Sequence, residues 1–132
     1  MTSPDPADVV SKVSTRSVGD TVARFVELLG AKGVKVFDVI DQRAAAQAVG
    51  LDLRETTLVI FGSPAAGTPV MDEVPLAALD LPLKVLVWAD GERGTVVSYT
   101  APAALATRYG LRDELAAAFH PIDVLTDALV AG

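Results

Sequence analysis

Leu81-Pro82-Leu83-Lys84-Val85-Leu86-Val87-Trp88-Ala89-Asp90-Gly91-Glu92-Arg93-Gly94-Thr95-Val96-Val97-Ser98-Tyr99 decides the fold. Two runs rich in β-branched and aromatic residues, Leu81–Trp88 and Thr95–Tyr99, flank a polar loop with two glycines, which is the pattern of a hairpin. Just upstream, Thr56–Phe61 is an apolar run too short for a helix and stopped by Gly62. Three late strands, two of them paired in a hairpin, predict a mostly antiparallel sheet with helices on one face. That is α+β, not a doubly wound sheet.

Working outward, Val34–Asp41 reads as another strand and Val9–Arg16 as a first one, both rich in β-branched residues. Between them, Ser17 and Asp20 have capping-box spacing. Val22, Phe25, Val26 and Leu29 follow at i, i+3, i+4 and i+7, predicting one apolar helical stripe that Gly30 and Gly33 can end. Arg43–Val49 is a short alanine-rich helix closed by Gly50, and Ser63–Leu79 is a long connection with room for a helical turn or two. Pro102 suits the first turn of a helix over Ala103–Tyr109, with Gly110 as its stop. Asp113–Phe119 and Ile122–Val130 are helical on either side of His120-Pro121, a pair that breaks a helix. The expected order is β-α-β-(short α)-β-loop-β-β-α-α, with about five strands by this count. Residues 1–8 read as a polar tail and 9–132 as a single α+β domain.

Composition narrows the function classes. The 132 residues suit one domain, since domains commonly run to about 100–150 residues. No cysteine is present, which removes disulfides, thiolate metal sites and thiol nucleophiles. His120 is the only histidine, so no Ser–His–Asp relay fits elsewhere and no site of two histidines exists. Lys+Arg 11 against Asp+Glu 17 gives a net charge of −6, and the isoelectric point is near 4.6. Such a chain repels phosphate backbones, so nucleic acid is not an expected partner. No apolar run approaches the ~20 residues of a spanning helix, so no membrane is expected either. The polar, acidic opening lacks a signal-peptide pattern and makes the cytoplasm the expected location.

Two stretches can carry chemistry. In Phe61–Met71, Gly62, Ser63, Gly67 and Thr68 make a glycine-rich turn after a strand, able to present N–H groups and hydroxyls to a small molecule or anion. It is no Walker A loop, because Pro64 and Pro69 remove two donors and the Gly-Lys-Ser/Thr ending is absent. In Leu79–Trp88, alternation puts Lys84, Leu86 and Trp88 on one face of a strand and Leu83, Val85 and Val87 on the other. Lys84 beside Trp88 reads either as a desolvated amine next to a stacking platform or as a surface lysine with Trp88 capping the core. The scattered carboxylates read as a solvated face, without calcium-loop spacing, so no metal site is expected.

Phe61-Gly62-Ser63-Pro64 with Gly67-Thr68-Pro69 and Met71, then Leu79–Trp88, Val97–Pro102 and Arg108-Tyr109-Gly110-Leu111, together resemble the family numbered 302 among domains of unknown function. The match runs from about Ser17 to Leu129. The resemblance implies a compact, dimeric, cytoplasmic α+β domain with the β-α-β(4)-α topology of half of a TATA-box-binding fold, and no assigned activity. Departures fall on polar positions: Gln42 and Tyr109 stand where members commonly carry His, Ser63 where they carry Asn, and Thr100-Ala101 where they carry Asn-Asp. A family metal or acid–base site built on those side chains is therefore expected to be missing here.

Three readings follow. The first is a binding module whose pocket is formed by Gly62, Ser63, Gly67, Thr68, Lys84, Trp88 and Tyr99. The second, compatible with it, is a non-catalytic homodimer burying a sheet edge or an apolar helix face, as the excess of Ala, Val and Leu suggests. The third is an enzyme using Lys84 and Tyr99 or a carboxylate, which requires perturbed pKa values.

Overall fold

Burial alternates along the strands with a period of two, and that alternation sets the architecture. The computed structural model describes residues 5–132. Strand β1 (Val9–Ser14) leads into helix α1 (Val18–Ala31), then β2 (Lys35–Asp41), α2 (Gln42–Gln47) and β3 (Thr56–Gly62). Helix α3 (Pro64–Glu73) and a 3₁₀ turn (Pro75–Asp80) connect to β4 (Leu83–Asp90) and β5 (Gly94–Thr100). The chain ends in α4 (Pro102–Tyr109), α5 (Asp113–Ala116), a 3₁₀ turn (Ala117–Phe119) and α6 (Pro121–Val130).

The strands form one antiparallel sheet ordered β1-β5-β4-β3-β2. Strands β2 to β5 make a meander, and β1 closes it by pairing with β5, so α1 must cross the sheet from one edge to the other. One strand, one helix, four strands and terminal helices is the order expected, and the fold is α+β as read. Of the expected tail, residues 1–4 lie outside the described residues. Asp5 forms an ion pair with Arg93 at 3.2 Å, and the Asp8 carbonyl accepts from Ala101 N at 2.8 Å.

Helix α1 starts where the capping box placed it: the Ser17 hydroxyl accepts from Asp20 N at 3.1 Å. Its buried stripe is rotated from the expected one, to Val18, Thr21, Phe25 and Leu29. Val26 is left 37% exposed, because Thr21 hydrogen-bonds Ser14 at 2.8 Å and turns that side of the helix inward. The helix passes Gly30 and ends before Gly33, which takes a left-handed φ of 70°.

The core lies between the helices and one sheet face, on which Phe61, Val59, Leu83, Val85, Val87, Val97 and Tyr99 are buried with Phe25, Leu29, Phe119 and Leu129. The other face carries Leu58, Ile60, Leu86 and Trp88, each half-buried and outside that core cluster, with Lys84 exposed beside them. The face assignment of β4 is the one alternation gave. Trp88 does not cap the core; it sits on the helix-free face, and its indole N–H donates to Ser98 Oγ at 3.0 Å.

Candidate functional site

The expected glycine-rich loop is mostly helix. The Ser63 hydroxyl caps α3 by accepting from Ala66 N at 3.3 Å, and Pro64 takes the first helical position, where its missing N–H costs nothing. The Ser63 carbonyl accepts from Ala66 N at 3.0 Å and from Gly67 N at 2.9 Å. Two donors that an open turn would aim at an anion, Ala66 N and Gly67 N, are thus engaged inside the helix.

What this segment builds instead is one wall of a cleft of about 400 Å³. Gly62, Ser63, Pro64, Ala66, Gly67, Thr68 and Met71 line one side, Leu81, Pro82 and Leu83 another, and Ala118, Pro121 and Leu125 a third. Val34, Phe37 and Phe61 complete it. No lining residue is charged, and Ser63 and Thr68 supply its only hydroxyls. The volume falls in the range of about 300–1,000 Å³ typical of small-molecule sites.

Two details of backbone shape this cleft. The β2–β3 register skips Phe37: Val36 pairs with Phe61 and Asp38 with Ile60, so Phe37 stands at a β-bulge. A bulge on an edge strand re-aims a side chain, and here the freed ring lines the cleft although it is 43% exposed. A Cβ built on Gly67 would meet only Leu81 Cδ1 and Met71 Cε, each at 3.9 Å, so the space beside this glycine belongs to the cleft.

Of the residues singled out from the sequence, Gly62, Ser63, Gly67 and Thr68 come together here, and Lys84, Trp88 and Tyr99 do not. Lys84 is exposed, not desolvated, and shares the helix-free face with Trp88. Tyr99 is buried on the opposite face of the sheet, so Lys84 and Tyr99 do not share a site. The Tyr99 hydroxyl donates to Asp123 Oδ1 at 2.5 Å.

Around Tyr99 lies a network the sequence reading missed. Lys12 of β1 reaches under α6, donating to Thr126 Oγ1 at 2.7 Å and Asp123 O at 3.1 Å and pairing with Asp127 at 2.8 Å. Its ammonium is 5.2 Å from the Tyr99 ring centroid. Burial alone lowers the Lys12 pKa, but Asp127 and Tyr99 outweigh it and hold the ammonium above its usual range. Burial and then Asp123 push the Tyr99 hydroxyl up. No sequence signal joins residues more than a hundred positions apart; a lone lysine in a strand otherwise facing helices was the available hint.

A second network ties the turn before β4 to α4. Arg108 donates to Asp80 Oδ2 at 2.9 Å, and Tyr109 donates to the same oxygen. Burial raises the Asp80 pKa, yet the hydrogen bonds from Tyr109 and Arg108 bring it below the usual carboxylate range. Tyr109, a position read as a departure from family pattern, thus fastens structure. His120 is exposed before α6, and its side chain makes no capping hydrogen bond. Among the described residues, no three Asp, Glu or His side chains gather as a metal would need, and no helix is long and apolar enough to cross a membrane.

A five-stranded antiparallel α+β domain with an apolar cleft at one end of its sheet is the class defined by these features. The chain belongs to the family described as domain of unknown function DUF302, whose model matches residues 10–129. It is similar to a protein named fluoride-specific ion channel FluC 1 from Brucella suis biovar 1 (strain 1330), 37% identical over 103 residues. That match covers 78% of this chain and 41% of the relative. A fluoride-specific ion channel FluC 1 from Brucella abortus biovar 1 (strain 9-941) is also 37% identical, with 38% of its length covered. The chain therefore spans about two fifths of the curated relatives it matches. Among solved structures, an uncharacterized conserved DUF302 protein from Bacillus stearothermophilus has the same fold, with a TM-score of 0.78 at 19% identity, covering 95% of this chain and 97% of that one.

Proposed function

We propose that this chain is a non-catalytic binding domain whose cleft takes a small, largely apolar molecule. One observation carries the reading: a cleft of about 400 Å³ whose lining residues are uncharged and almost wholly carbon. Free apolar surface of this kind gains about 25 cal/mol per Å² when a ligand covers it. Lys84 and Tyr99, the pair an enzyme reading relied on, lie on opposite sheet faces and contribute nothing to it. Fluoride, named in the curated relatives, does not suit the cleft. A small hard anion needs converging donors to offset its desolvation, and here Ala66 N and Gly67 N are engaged within the helix.

The test is the melting temperature with neutral apolar probes such as octanol, for wild type and for Gly67→Leu, which fills the cleft. Saturation at 100 times the dissociation constant adds about 2.7 kcal/mol of stability, a shift of several degrees. Wild type shifts and Gly67→Leu does not; absence of any shift in wild type removes the reading.

A second reading rests on the helix-free sheet face. Leu58, Ile60, Leu86 and Trp88 form a half-buried apolar patch there, with the Arg93 guanidinium 5.3 Å from the Trp88 ring centroid, and a second copy supplies a matching surface. Under this reading the protein is a homodimer joined face to face, and light scattering at micromolar concentration gives twice the 13.7 kDa chain mass. A monomer mass rejects it.

A further inference from the structure

The cleft's chemistry points to a particular class of occupant. Its volume of about 400 Å³ equals the room of roughly a dozen waters at about 30 Å³ each, so a ligand of about a dozen non-hydrogen atoms fits. A wholly apolar molecule of that size is scarcely soluble, so a natural occupant carries a polar group, which the carbon walls exclude. That group must sit at the open rim.

Lys35 does not itself line the cleft but adjoins two residues that do. Its ammonium is 4.6 Å from the centroid of the Phe37 ring, and Phe37 lines the cleft. Its backbone is registered opposite Gly62, another lining residue. Lys35 is exposed and enters none of the ion pairs among the described residues. The nearest carboxylate along its own strand, Asp38, is occupied by Val39 N at 2.8 Å. A cation with no internal counter-ion therefore lies beside a ring that forms part of the wall. The chain as a whole carries −6 and repels anions, so selection for a negative group must come from this local charge.

We propose that the cleft binds a monoanionic amphiphile, an acyl or aryl carboxylate, with its apolar part against α3 and α6 and its carboxylate at Lys35. This rests on the cleft being a ligand site and adds the charge of the ligand to it. Octanoate and octanol, equal in chain length and different in charge, are the probes, followed by calorimetric titration. Lys35→Met weakens octanoate about fivefold, the size of an ion pair near the surface, and leaves octanol unchanged. Lys35→Arg retains octanoate binding, raised salt mimics the Met variant, and Gly67→Leu loses both probes. If both probes bind wild type and Lys35→Met weakens neither, the anionic class is wrong while the cleft remains a ligand site. If neither binds wild type, both the class and the cleft reading fall.

Discussion

The ring of Phe25 in α1 meets that of Phe61 in β3 edge to face, with centroids 5.2 Å apart and planes at 84°. Both residues are buried, and Phe61 also lines the cleft, so one wall of the candidate site is part of the core itself. Such a wall is held by close packing and does not collapse when the cleft is empty. Phe61→Ala is expected to cost about 3–5 kcal/mol, and the Phe25–Phe61 coupling in a double-mutant cycle about 0.5–1.5 kcal/mol. Urea titration measures both. A cost below 1 kcal/mol for Phe61→Ala, on the scale of an exposed site, would separate the cleft from the core.

Gly67 gives the opposite kind of outcome. It sits inside α3, where glycine is less favourable than alanine by about 0.5–1 kcal/mol, and its φ is not left-handed. An added Cβ reaches Leu81 and Met71 at ordinary contact distance. Gly67→Ala therefore melts higher than wild type and binds octanol more weakly, because the methyl group occupies the cleft. Higher stability with unchanged binding would show that the space beside Gly67 is not used.

Much of the fold was legible because its determinants are local. The hairpin with Gly94 at φ 83°, the Ser17 cap, the left-handed Gly110 and the alternation along β4 are each written within a few residues. The segment after Gly62 was less so. Its prolines read as loop, yet Pro64 starts α3 and Pro69 lies inside it, at the sixth of its ten residues. Half of the candidate site was found in that segment. Of the rest, Val34 and Leu81 to Leu83 lie near it, whereas Phe37 depends on a bulge, and Ala118, Pro121 and Leu125 depend on the C-terminal 3₁₀ turn and α6 reaching residues far away in the chain. Adjacent apolar residues at Val36-Phe37 interrupt alternation and were the one local sign of the bulge.

The network under α6 sets an alkaline limit. Lys12 and Tyr99 both have pKa values above their ordinary 10.5 and 10.0. A raised folded pKa means that the stabilisation is complete below the unfolded value and is lost as pH rises through the folded one. Unfolding free energy should thus hold steady from neutrality to about pH 10 and fall above it. Tyr99→Phe, lacking a hydroxyl to donate to Asp123, loses about 1 kcal/mol at pH 7 and shows a shallower alkaline decline. An identical decline in the variant would assign that limb elsewhere.

At the acid end Asp80 contributes with the sign reversed, alongside Asp5, Glu73 and Asp90, whose pKa values are also lowered. The folded pKa of Asp80 lies below the ordinary 3.8, so its contribution is present above that value and disappears as pH falls through the folded one. Asp80→Asn should lower stability at neutral pH, where Arg108 and Tyr109 lose a charged acceptor, and flatten the loss below about pH 4. Denaturant titrations at pH 7 and pH 3 make the comparison.

Leu86 occupies the middle of the helix-free face, between Leu58 on β3 and Ser98 on β5. In a face-to-face dimer with two-fold symmetry, a residue near the axis meets its own twin, so a charge introduced there is introduced twice. Leu86→Glu then places like charges together in an apolar interface, a juxtaposition that costs several kcal/mol of association. The same change costs a monomer little, since Leu86 lies outside the core cluster. Light scattering should therefore give the chain mass for Leu86→Glu and twice that mass for wild type, with unchanged helix content by circular dichroism. A variant that stays dimeric would move the contact from this face to a sheet edge, where β1 and β2 still offer unpaired backbone groups.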